Sequence, residues 1–383
     1  MIAFLVILLS TLLAFYAVLD SQLAGMYKFI LIVAEMAIVG TIFIKRYNLT
    51  GEHGLILLKS KHGLNFIEKL ARNENAWKFF ADVGAVMGYG LLSFIIMKKN
   101  FSWKALITGI VLLGLISIIV APYAFVFLST VIKDIKIEKA VDQTSRTSAI
   151  GNNVIIFVTM LLFGGLFLLL LASLLTYSTV IISALLSTVL YGTTAIHDTT
   201  PGATFLLPGL NLPFFEAIIA LFIILVVHEG SHAVLARVAK IPVLSSGIVL
   251  FGILPVGAFV EPDEAKLNGL EKSRQTRVLV AGSTANLLTS MLFFILFMGF
   301  IFVIDSLALK TTSFAGAAKF IYLILGLTFS LNFIIGTVNL LPLPFFDGYR
   351  ILEVNVPQKK IVDGLMAITL VAFLANFLPW LFK

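Results

Sequence analysis

Residues 228–232 read His-Glu-Gly-Ser-His and sit inside the otherwise largely apolar stretch Phe222–Pro242. On a helix, positions i and i+4 share a face with side chains about 5–6 Å apart, so His228 and His232 can hold one metal ion between them. Glu229, one position round, can reach a metal-bound water. Zinc lowers the pKa of that water and the carboxylate takes its proton, giving a hydroxide able to attack a peptide carbonyl. Two histidines leave the site one protein ligand short. Asp347 is the candidate third, in Gly336–Leu352, where Pro342 and Pro344 interrupt a helix and Gly348 follows the carboxylate. Blander readings compete: polar residues packed in a bundle, a proton relay, or a helix-capping aspartate. Each ionisable residue within a membrane span costs about 2.5–3.5 kcal/mol on insertion scales, so three together need a common reason, and zinc supplies one.

The elements that must position these residues are membrane helices. The chain has 383 residues, 60% of them hydrophobic and 12% charged, well outside the balance of a soluble domain. Apolar runs fall at about 2–19, 27–44, 80–97, 105–128, 213–238, 278–304, 317–341 and 361–382. The stretch 154–192 is too long for one straight span and is expected to make one crossing plus a re-entrant or interfacial piece. The expected fold is an all-α polytopic membrane protein with about nine or ten apolar segments and a small re-entrant β segment. Residues 2–19 lack a basic leader and a small-residue cleavage site, which favours a first span over a signal peptide. Without cysteine there are no disulfides, thiolate ligands or cysteine nucleophiles, so a metal must be held by His, Asp or Glu.

The net charge of +7 lies mainly in loops, the pattern of membrane topology and not of nucleic-acid binding. Basic residues place 45–79, 129–153, 237–277 and 350–360 on the cytoplasmic side, and 305–316, with only Lys310, on the other. Residues 51–79 mix apolar and basic residues in the manner of an interfacial amphipathic helix. Residues 244–264, with Gly247, Gly252, Gly257 and Pro255 among β-branched residues, read as strands or a hairpin. Extended backbone at membrane depth must be shielded by protein or line a wet cavity. The domain division expected is an N-terminal membrane region, 1–200, of unassigned role and a catalytic membrane core, 201–383.

Four ordered blocks carry a family resemblance: HEGSH at 228–232, the Gly/Pro-rich segment 247–264, AGSTANLL at 281–288 and NLLPLPFFDG at 339–348. Over about residues 205–355 the chain resembles the site-2 proteases, intramembrane zinc metalloproteases. The resemblance implies one Zn2+ per chain on His228, His232 and Asp347, with Glu229 as catalytic base. It also implies that the β segment presents an unwound substrate strand by edge pairing. Asn286 and Asn339 are candidates to hydrogen-bond the substrate carbonyl or its developing oxyanion; helix–helix hydrogen bonding is the equal alternative for both. Gly230, Ser283 and Tyr349 depart from the usual family pattern but remove neither a ligand nor the base. The short segment 305–316 leaves no room for the PDZ domain found in many relatives.

The activity expected is hydrolysis of peptide bonds in or near a transmembrane helix of another membrane protein, within the lipid bilayer of the cell membrane, with the zinc toward the cytoplasmic side. Nucleic acid is not expected as a partner, and the sequence says nothing of oligomeric state. A secondary transporter using the His, Glu and Asp side chains as an ion path, and a non-proteolytic membrane scaffold, are the alternatives.

Overall fold

Hydrocarbon offers no hydrogen bonds, so a chain this apolar must pair its backbone within itself, and it does so as helices. A computed structural model describes residues 2–23, 25–60, 63–97, 102–132, 150–204 and 206–382. Basic residues Lys133, Lys136, Lys139 and Arg146, and His62, lie outside them. The longer helices are α1 (Ile2–Asp20), α2 (Gly25–Tyr47), α3 (Leu64–Ala71), α4 (Glu74–Tyr89), α5 (Trp103–Val131, with a π turn at Ile116–Val120), α6 (Ile150–Tyr191), α7 (Phe214–Val238), α8 (Lys272–Ser306), α9 (Ala315–Val338), α10 (Asp347–Asn355) and α11 (Lys359–Ala375). Among the described residues, eight helices are long and apolar enough to cross a membrane by length and composition. Their outer faces expose large apolar side chains such as Leu13, Ile107, Ile295 and Phe302. So extensive an apolar surface suits lipid and not water.

Four strands form one antiparallel sheet in the order β1-β2-β3-β4: β1 (Gly51–Glu52), β2 (Leu55–Ser60), β3 (Val243–Phe251) and β4 (Leu254–Pro262). The β3–β4 hairpin is the one expected from the Gly/Pro-rich segment. The helix expected over 51–79 is a correction: only Leu64–Ala71 and the start of α4 are helical, and Gly51–Glu52 and Leu55–Ser60 are strands. Positive φ at Asn48, His53 and Gly54 turns the chain there. Strand β2 then pairs along β3 from Leu55↔Phe251 to Ser60↔Ser246. It covers an edge that would otherwise leave backbone groups unpaired, while Ile56 packs with Val39 and Phe43 of α2.

Helix α8 is the central post, packed against α9, α7, α4 and α10. Its middle carries Ser283, Thr284, Asn286 and Ser290, all fully buried, the small and polar composition of membrane helix interfaces. The long α6 is interrupted at Gly165, φ 58° and ψ −154°. That break seats on the end of α4: a Cβ at Gly165 would lie 2.6 Å from both Gly88 O and Gly90 N, so the two backbones touch where only glycine fits. The stretch Leu161–Tyr191 is long and apolar enough for one crossing.

One ion pair fastens α4 to α8. Arg277 Nε donates to Asp82 Oδ1 at 2.7 Å and Arg277 Nη2 donates to Asp82 Oδ2 at 3.1 Å, a two-pronged contact with side chains 12% and 5% exposed. Removing one partner leaves a charge buried without compensation. Asp82→Ala is therefore expected to destabilise the protein by about 3–5 kcal/mol, read as a lowered unfolding temperature in detergent. Asp82→Leu combined with Arg277→Met, which removes both charges, should recover most of the loss.

Candidate metal centre

Three helix segments converge on one point. The i, i+4 spacing of α7 places His228 Nε2 and His232 Nε2 3.2 Å apart, and the first turn of α10 brings Asp347 Oδ2 to 3.4 Å and 3.3 Å from them. Two ligand atoms each about 2.1 Å from a zinc ion, at a tetrahedral angle, lie about 3.4 Å from one another. The triangle thus has the size that three zinc ligands impose. Asp347 Oδ2 is buried and accepts no hydrogen bond, so its lone pairs are left for a cation. The donor set, two imidazoles and a carboxylate, leaves a fourth tetrahedral position for water.

Helix α8 orients both rings from behind. His232 Nδ1 lies 2.8 Å from the Val278 carbonyl, which can only accept, so Nδ1 carries the proton and Nε2 keeps its lone pair. His228 Nδ1 meets the Asn286 carboxamide at 3.1 Å. The Asn286 Oδ1 atom is otherwise buried without a partner. With the amide turned so that Oδ1 faces the ring, it accepts the Nδ1 proton and leaves the lone pair on His228 Nε2. Asn286 is thus engaged with a ring of the triangle, at the back of the site. Between these contacts, Gly282 brings the α8 backbone against the imidazoles: a Cβ there would overlap His228 Cε1 and His232 Nε2.

Glu229 is half-buried on the same helix, and its Oε2 accepts a hydrogen bond from the Val260 N–H of β4 at 3.1 Å. In the sheet order β4 pairs with β3 on one side, so Glu229 meets its other, outer edge. Farther along, Glu261 accepts from Ser245 Oγ–H and from Lys59 Nζ of β2, stitching three strands together. The Ser245 hydrogen bond and then Lys59 hold the Glu261 carboxyl below the usual glutamate range. Ionised Glu261 therefore favours the sheet above the ordinary glutamate range, an advantage lost as pH falls through its own lower pKa. Its exposure keeps the effect small.

Asp347 owes its position to the chain preceding it. Helix α9 ends at Val338, and Pro342 and Pro344 cannot continue a helical ladder. The Gly348 N–H donates back to the Asn339 carbonyl at 2.8 Å, closing the loop that presents the carboxylate. Phe345 lies within this loop with φ 72° and a fully exposed ring, an uncommon backbone state for an aromatic residue. The Asn339 side chain makes no hydrogen bond to another described residue.

This geometry lies where the comparison with known families falls. Residues 216–375 match peptidase family M50. That is the site-2 protease family, so the resemblance seen in the four sequence blocks holds over this stretch, somewhat under half of the chain. M50 is a metallopeptidase family, and with the eight apolar helices the match supports an integral, multi-pass membrane protein. The chain is also similar to an uncharacterized protein of Methanocaldococcus jannaschii, 44% identical over 78 residues, which are 20% of this chain and 21% of that protein. The chain thus spans about a fifth of that relative's length. No solved structure matches.

The M50 stretch contains every residue singled out from the sequence: His228, Glu229, His232, Asn286, Asn339 and Asp347. Sequence reasoning missed Gly282, the Val278 carbonyl and the Val260 N–H. Only Gly282 had a signal, a glycine inside a helix within the third of the four sequence blocks. Gly282→Ala is expected to push the imidazoles apart and abolish stoichiometric metal binding, measured by elemental analysis, while the helical circular dichroism persists. Asn286→Ala should weaken zinc affinity about 10–100-fold, measured by competition with a chromophoric chelator.

Proposed function

We propose that the chain is an intramembrane zinc metalloprotease that hydrolyses peptide bonds in or near transmembrane helices of other membrane proteins. The observation that carries this is the triangle of His228, His232 and Asp347, at 3.2–3.4 Å, inside the stretch matching M50. In it His228, His232 and Asp347 would hold a Zn2+ ion, which would supply Lewis-acid activation of a water and of the substrate carbonyl. Glu229 takes the proton from the attacking water and returns it to the leaving amine. Its hydrogen bond to Val260 keeps the carboxylate aimed while the substrate is absent.

A substrate helix hides its carbonyls in i→i−4 hydrogen bonds and must unwind before attack. The outer edge of β4 provides backbone donors and acceptors for the unwound strand, next to Glu229. Asn339, with no hydrogen-bond partner for its side chain among the described residues, is the polar group available to the substrate carbonyl. Asn286 instead serves His228. The distribution of basic residues supports a site toward the cytoplasmic side of the cell membrane. Residues 201–383 form the catalytic core, and residues 1–200 complete its sheet through β2 and brace α8 through Asp82.

Elemental analysis of the detergent-purified chain should find about one zinc per chain, sharply reduced in Asp347→Ala prepared identically. Incubated with a reconstituted single-span reporter whose helix contains Gly and Pro, the zinc-loaded protein should release fragments detectable by mass spectrometry. Glu229→Ala should keep its zinc and release none. Replacing the reporter's Gly and Pro with Leu should slow cleavage. Absence of zinc in the parent protein, or equal cleavage by Glu229→Ala, would overturn the proposal.

A further inference from the structure

Tyr89 is the last residue of α4, outside the stretch that matches M50, and only 1% of it is exposed. Its ring packs against Phe167 of α6 with centroids 5.4 Å apart. Gly90 follows with φ 55° and ψ −136°, so the helix stops there. The phenol is thereby held by a backbone crossing and an aromatic neighbour. Its hydroxyl, however, is buried with no hydrogen-bond partner. A buried hydroxyl without a partner costs about 1–3 kcal/mol, so its presence calls for a partner that arrives later.

The surroundings identify that partner. A Cβ at neighbouring Gly88 would lie 3.2 Å from Leu340 Cδ2, so the end of α4 packs on the loop that leads to Asp347. The Leu340 carbonyl in turn presses on Gly348, the residue after Asp347. The end of α4 and the first turn of α10 thus meet through Leu340. An orphaned donor and an orphaned acceptor, Asp347 Oδ2, therefore occupy one buried region. A carboxylate has about four lone-pair sites, and one metal bond uses only one of them. Carboxylates that ligate metals are themselves hydrogen-bonded, which fixes the oxygen they present.

We propose that Tyr89 is a positioning residue of the metal centre, its hydroxyl donating to the Asp347 carboxylate when the metal is bound. The N-terminal half then contributes directly to the site and does more than surround it. This inference rests on the metallopeptidase reading.

The test uses the full chain in detergent, as wild type, Tyr89→Phe and Phe167→Leu, with Co2+ as the probe. Co2+ affinity is measured by competition with a chromophoric chelator, the ligand field by the visible absorption bands, and the metal-free fold by thermal unfolding. Tyr89→Phe should weaken Co2+ binding about 10-fold or more and alter the visible bands. Its metal-free form should unfold at the wild-type temperature or above, because the lost hydroxyl had no partner there. Phe167→Leu, which loosens the ring and keeps the hydroxyl, should weaken Co2+ binding less than Tyr89→Phe does. Wild-type affinity and spectrum in Tyr89→Phe would overturn the inference. Equal weakening in both variants, or failure of Tyr89→Phe to fold, would also overturn it by making the role one of packing. A wild-type chain that binds neither Co2+ nor Zn2+ would sink the metallopeptidase reading itself, a result distinct from these.

Discussion

Two imidazole nitrogens and a carboxylate oxygen, all presenting lone pairs to one point, repel one another unless a cation lies among them. That repulsion is the constraint around which the structure is organised. The three atoms stand 3.2–3.4 Å apart, held there by elements far apart in sequence, so the cost of assembling them is borne by the packing of α7, α8 and α10. A zinc ion would turn the same crowding into attraction, because the separations suit its bond lengths. Removing the cation from the account leaves a cluster of buried acceptors with too few donors.

The remaining architecture can be read as support for that triangle. Helix α8 touches both histidines from behind and supplies a hydrogen-bond acceptor to His232 and, through Asn286, to His228. Its own position depends on α4 through Asp82 and Arg277 and on α9 through Ser290, whose hydroxyl donates to the Phe329 carbonyl at 2.7 Å. On the other side of Glu229, the sheet brings a backbone N–H to its carboxylate, and that sheet needs β2 from the N-terminal half to cover its far edge. Within a bilayer such interior hydrogen bonds are among the few specific forces available, since apolar contacts with lipid compete with those between helices.

What the sequence disclosed followed the range of the interactions involved. The histidine pair was legible because helical spacing alone brings positions 228 and 232 together, and Asp347 because two prolines and a glycine mark the break that presents it. Helix positions followed from hydropathy, since hydrocarbon forces internal pairing of the backbone. Residues 51–60 were misread as helix because their strand is dictated by β3, almost two hundred residues later, and not by local preference. Asn286 reads as a partner of the substrate carbonyl or of another helix, whereas its contact with His228 depends on the crossing of α7 and α8. Tyr89 had no signal, being one aromatic in an apolar run.

Zinc K-edge X-ray absorption of the purified, zinc-loaded chain would read the ligands of the metal itself. A single shell of about four light-atom ligands near 2.0–2.1 Å is expected, with multiple scattering from two imidazoles that is lost in the His228→Ala/His232→Ala double variant. A spectrum without imidazole scattering, or one unchanged in that variant, would contradict a metal site on these histidines.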